Sequence, residues 1–137
     1  MVIQDVFNAL SEGNRNTRSQ YHLTLGGLIS ALSGVPSDAF VFIDGTKAGI
    51  KSPHSYRGYY SDLSFEKSTE PKTVSETLET AKSCIECCFQ GWKGGEYIMK
   101  EDTPLWIAKE GESSQLAIMD AKFRDGAIQL ICKQIEL

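Results

Sequence analysis

The chain has 137 residues, 41% of them apolar and 23% charged, with a formal net charge of −4. This size and mix give one globular domain with a single core, and exclude a chain disordered throughout. The interspersed charges lack the basic stripe of a general nucleic-acid binder, and no stretch approaches the length of a membrane span.

Residues 2–11 predict a short helix, with Ile3, Val6, Phe7 and Leu10 at helical spacing and Gly13 as its stop. Asn14 to Gln20 is polar and reads as a loop or linker. Residues 1–20 are therefore expected to form a helix and linker ahead of a single domain spanning 21–137. Thr24 is placed as the N-cap of a helix whose stripe is Leu25, Leu28, Ile29 and Leu32, closed by Gly34 and Pro36.

Ala39 to Asp44 reads as a buried strand and Gly45 to Ser55 as a loop. Tyr59 to Lys67 alternates as a half-buried strand. Tyr59, Leu63 and Phe65 are expected on one face, with Tyr60, Asp62 and Glu66 on the other. Thr73 and Glu76 fit a capping box that opens a helix from about 74 to 89, with Val74, Leu78, Ala81, Ile85 and Cys88 buried.

Gly91 to Gly95 is a glycine-rich turn, followed by short strands at about 97–99 and 104–109. Pro104 suits a strand start, and Trp106 reads as core. The C-terminal stretches 115–123 and 127–135 form a hairpin about Asp125-Gly126. The expected fold is α+β, a mostly antiparallel sheet with two or three helices packed on it.

The four cysteines are Cys84, Cys87, Cys88 and Cys132. Placing Cys84 and Cys88 one turn apart on a helix suits packed thiols in a reducing cytosol. The N-terminus carries no signal-peptide pattern, so a cytoplasmic setting is expected. Neither a structural metal site nor a cofactor is expected, because no second cysteine pair or histidine cluster converges with these thiols. Hydrolytic motifs are missing as well. His54 has no neighbour that marks it as a base, and an acid–base pair would rest on Asp62 and Glu96 alone.

Two segments share a pattern of aromatic, cation, glycine and aromatic. One is Tyr56-Arg57-Gly58-Tyr59-Tyr60, with Asp62 close behind. The other is Trp92-Lys93-Gly94-Gly95-Glu96-Tyr97. Glycine lets backbone donors approach a ligand, Arg or Lys neutralises phosphate or carboxylate, and Tyr or Trp offers a stacking face. The same pattern also serves β-turns and bulges without any ligand, and Arg57 could stack on Tyr56 or pair with Asp62 for stability alone. The expected ligand is a small nucleotide-like anion, and a homo-oligomer would enclose it more completely.

The run Ser55 to Leu63, the run Phe89-x-Gly91-x-Lys93-Gly94-Gly95-Glu96-Tyr97-x-Met99 and the run Thr103 to Ala108 resemble motifs of small proteins encoded in phages and prophages. The resemblance spans residues 24 to about 120 and departs in the N-terminal extension and the cysteine cluster. It implies interference with host defence in the host cytosol. One class of such proteins, the sponges of the Thoeris and CBASS systems, holds cyclic nucleotides or cyclic ADP-ribose variants without cleaving them. An alternative of another class is a protein–protein inhibitor of a host enzyme, since Tyr, Trp and Arg also anchor interfaces.

Overall fold

The computed structural model describes residues 22–57, 59–91, 93–109 and 112–135. The helix expected at 2–11 and the linker at 14–20 lie outside them. The described residues fold as α+β, with two helices, a seven-strand mixed and mostly antiparallel sheet, and a small separate hairpin.

In chain order the elements are α1 (Leu25–Ser33), β1 (Phe40–Ile43), β2 (Gly49–Tyr56), β3 (Tyr59–Ser68), β4 (Lys72–Thr73) and α2 (Val74–Cys84). They continue with β5 (Cys88–Gln90), β6 (Glu96–Ile98), β7 (Leu105–Lys109), β8 (Glu112–Arg124) and β9 (Ala127–Gln134). The large sheet runs β2-β3-β7-β8-β9-β1-β4, and β5 and β6 form the hairpin. Two neighbours are parallel, β3 with β7 and β9 with β1; the other pairings are antiparallel.

Local chemistry sets several boundaries as the sequence implies. The Thr24 side chain accepts from the Gly27 N–H and opens α1, which Gly34 caps. Thr73 and Glu76 form a reciprocal capping box at α2, with both bonds at 3.1 Å. The turn between β8 and β9 puts Asp125 at φ 53° and Gly126 at φ 78°. Two successive left-handed residues make the primed turn that matches strand twist in a two-residue hairpin.

Three expectations need correction. Residues 49–56 are not loop but strand β2, at the edge of the sheet. An edge strand tolerates Pro53, and a bulge between Lys51 and Pro53 absorbs Ser52 at φ 45°. Helix α2 ends at Cys84 rather than near 89, because Ile85 leaves the helix and Glu86 turns left-handed at φ 57°. Cys88 is consequently exposed on β5, paired with Ile98, and shares no helix face with Cys84. The buried face of α2 is Val74, Thr77, Ala81 and Cys84, while Leu78 and Ile85 pack against the core partly exposed.

The alternation along β3 breaks near its start, the third correction. Ser55 pairs with Leu63 while Tyr56 pairs with Tyr59, so β3 carries extra residues between those pairs. Beyond the break, Tyr59 packs with Tyr56 and Trp106, and Leu63 and Phe65 enter the main core. The main core gathers α1, α2 and one sheet face, including Leu25, Leu28, Leu32, Val41, Phe65 and Leu105. Tyr56, Trp106 and Ala117 form a second, smaller cluster.

Candidate functional site

Trp106 follows from strand register. On β7 it sits beside Ser64 of β3 and Ala117 of β8, while its neighbours Leu105 and Ile107 belong to the main core. Strand alternation thus directs the indole to the opposite face. Tyr56 stacks on it in parallel, with ring centroids 4.3 Å apart and planes 2° apart. Tyr59 follows at 6.1 Å, and His22 meets the indole edge-on at 4.7 Å. The indole Nε1–H donates to the Asp62 carboxyl at 2.8 Å, and Tyr56, Asp62 and Trp106 are each 0% exposed.

The Tyr56 hydroxyl accepts from the Gln115 N–H at 3.0 Å. Burial, opposed by that hydrogen bond, raises the Tyr56 phenol above its ordinary range. The chain segment before α1 delivers His22. Leu23 donates from its N–H to the Ile118 carbonyl and accepts from the Leu105 N–H, which threads residue 23 between β7 and β8. Nothing in the sequence pattern pointed to His22, because this placement depends on contacts distant in the chain.

Tyr56 and Asp62, both expected at a ligand site, are therefore internal supports. The other members present themselves differently. Arg57, Lys93, Gly94, Gly95 and Glu96 are exposed, and Tyr59, Tyr60 and Tyr97 are half-buried. Gly58 and Trp92 lie outside the described residues. The two segments meet in space: Tyr60 from β3 and Tyr97 from β6 lie 5.9 Å apart at 50°.

Gly91 makes this meeting fit. A Cβ at position 91 would stand 2.8 Å from Tyr97 Cε2, 2.8 Å from the Gly94 carbonyl and 3.5 Å from Tyr60 Cγ. Only glycine leaves room for both rings there. The sequence signal was present in Phe89-x-Gly91, although Gly94 and Gly95 stood out more. Those two adopt positive φ, and the Gly94 N–H is spent on the Gly91 carbonyl at 3.0 Å, so Gly94 shapes the turn rather than offering a donor. On the other side, the buried Ser55 hydroxyl donates to the Tyr60 carbonyl at 2.6 Å and fixes the irregular start of β3.

The juxtaposed rings and exposed cations can stack a flat group and attract an anion. Of the two carboxyl groups, Asp62 is enclosed and accepts from Trp106, while Glu96 stands exposed beside Cys88. Local desolvation first, and then the neighbouring Glu96, push the exposed Cys88 thiol up. Among the described residues no cluster of His, Cys, Asp and Glu converges as a metal site. No described helix is long and apolar enough to cross a membrane.

Two surface depressions lie elsewhere. A groove of about 410 Å³ runs between α1 and α2 along Leu32, Val35, Val74 and Leu78. A polar hollow of about 550 Å³ is lined by Asp44, Thr46, Lys47, Arg124 and Gln129. Neither includes a residue of the two aromatic segments. Comparison with known protein families, with curated proteins and with solved structures finds no match to this chain.

Proposed function

We propose that the protein binds a small phosphate-bearing, nucleotide-like ligand and holds it without cleaving it. The observation that carries this reading is the meeting of Tyr60 and Tyr97 beside Gly91, with Arg57 shortly before Tyr60 and Lys93 shortly before Tyr97 in the chain. Segments far apart in sequence bring these two tyrosines together. In this reading the tyrosines stack the base or sugar, and Arg57 and Lys93 neutralise phosphate.

The resemblance to small phage proteins supports a cyclic nucleotide immune signal as the ligand class, bound in the host cytosol to blunt defence. A second copy of the chain would close the exposed side of the site. The enclosure of Asp62 favours sequestration over catalysis.

A thermal-shift screen against cyclic di- and trinucleotides, cyclic ADP-ribose isomers and simple nucleotides tests the reading. A ligand that binds only the folded state raises Tm with its concentration. The expected result is a shift with one class that Arg57→Ala loses while the variant still unfolds in one cooperative transition. No shift with any class would refute the ligand and favour a protein partner, for which Ile98, 50% exposed beside Tyr97, offers an apolar contact.

A further inference from the structure

The end of α2 holds two cysteines at the ends of one turn. The Cys84 thiol donates to the Thr80 carbonyl at 3.3 Å and the Cys87 thiol to the Cys88 carbonyl at 3.9 Å, so a bridge between them requires both side chains to rotate. Cys84 is the last residue of the helix and Cys87 follows three residues later. The Cys87 N–H donates to the Cys84 carbonyl at 3.1 Å. Between them Ile85 has φ −62° and ψ 128°, and Glu86 has φ 57°. These angles describe a type II β-turn with the cysteines at its first and fourth positions. Such a turn brings its end Cα atoms within about 7 Å, overlapping the span of about 4.4–6.8 Å that a disulfide bridges.

The turn is also pinned from outside. The Glu86 N–H donates to the Met99 carbonyl at 2.7 Å, and the Met99 N–H donates to the Cys87 carbonyl at 3.0 Å. Met99 is fully buried, so the turn is anchored to the core. The reduced protein thus holds the two cysteines close before any oxidant arrives. Cys87 is exposed to reagents, and Cys84 is buried.

We infer that Cys84 and Cys87 are a dithiol pair that a low-molecular-weight disulfide, such as oxidised glutathione, converts to an intramolecular disulfide. In the first step the Cys87 thiol gives up its proton and its sulfur attacks one sulfur of the reagent. The reagent's S–S bond breaks, and one glutathione leaves as thiolate and takes up a proton. In the second step Cys84 gives up its proton and attacks the Cys87 sulfur of the mixed disulfide, expelling the second glutathione. Two protein thiols are oxidised, one reagent disulfide is reduced to two thiols, and no net proton is released.

Burial pushes the Cys84 thiol up to about 11, so the closing step is slow at neutral pH and quickens as pH rises. Cys88 belongs to β5, opposite Ile98, and Cys132 to β9. Neither takes part in the turn.

The test uses the full chain with Cys88→Ser and Cys132→Ser together, which leaves only Cys84 and Cys87. The protein is treated with oxidised glutathione at about pH 8.5, quenched with acid and weighed intact. The expected product is a monomer lighter by about 2 Da, formed through a transient glutathione adduct. Adding Cys87→Ser should abolish the bridge. A persistent adduct without the mass loss, or a disulfide-linked dimer, would overturn the inference. Should the double variant fail to fold, fragment mapping of the Cys88→Ser protein gives the same decision: a Cys84–Cys87 link supports it, and any other link overturns it.

Discussion

Replacing Trp106 by Phe separates the stacking in the second cluster from the indole's hydrogen bond to Asp62. Phe keeps an aromatic face against Tyr56, whose ring lies 4.3 Å away, but loses the Nε1–H that donates to Asp62 at 2.8 Å. Both residues are 0% exposed, so water cannot readily replace that donor. Removing one partner of a buried hydrogen bond costs about 1–3 kcal/mol, and the smaller ring forfeits about 1 kcal/mol of apolar burial. The expected loss is about 3 kcal/mol.

With an unfolding entropy of about 2.1 cal/mol/K per residue, that loss lowers Tm by about 10 °C in a chain of this length. Urea titration and thermal circular dichroism of Trp106→Phe, Asp62→Asn and the double variant supply the assay. Asp62→Asn keeps an acceptor oxygen and should cost less, and the cycle should give a coupling of at least about 1 kcal/mol. A loss below about 0.5 kcal/mol in Trp106→Phe, or no coupling, would mean that the indole–carboxyl bond does not hold this cluster together.

Other outcomes follow from the same geometry. Thr73→Ala removes the hydroxyl that accepts from the Glu76 N–H, and should cost about 1 kcal/mol in urea unfolding. Gly126→Ala places a Cβ at φ 78° and should destabilise by about 1 kcal/mol. Gly91→Ala should lower Tm and shift the near-ultraviolet tyrosine signal, because its Cβ would overlap Tyr97 and the Gly94 carbonyl. Alkaline pH should destabilise the fold. Burial raises the Cys84 and Cys132 thiols from 9.0 to about 11, and it raises the Tyr56 phenol as well. All three stay protonated longer in the folded chain; the thiols' stabilising effect is complete below pH 9 and declines as pH climbs toward 11, and the Tyr56 phenol adds to the loss at alkaline pH. Urea midpoints that stay level over this window would contradict the burial of these groups.

What was legible in the sequence was local. The Thr24 cap, the Thr73–Glu76 box and the Asp125-Gly126 turn each need only a few neighbouring residues, and each formed as read. The stretch 49–56 misled because its composition is that of a loop, and pairing with β3 overrides that preference. Helix α2 misled because its apolar spacing runs on past Cys84. The chain instead turns at Glu86 and gives Cys88 to the hairpin.

The parallel pairings of β3 with β7 and β9 with β1 leave no local signature at all. The same division holds for the candidate site. Group types could be read from Tyr56 to Tyr60 and from Trp92 to Tyr97. Which of them face outward could not, since the enclosure of Tyr56 and Asp62 depends on Trp106, distant in sequence.

In the proposed site Tyr60 and Tyr97 stack the flat group of a nucleotide-like anion. Isothermal titration of the nucleotide class that most raises Tm, into wild-type protein and into Tyr97→Leu, tests it most directly. Stacking of one base is worth about 1–3 kcal/mol, so Tyr97→Leu should weaken binding by about tenfold or more. Equal affinity in the two proteins would place the ligand away from Tyr97 and contradict the proposed stacking.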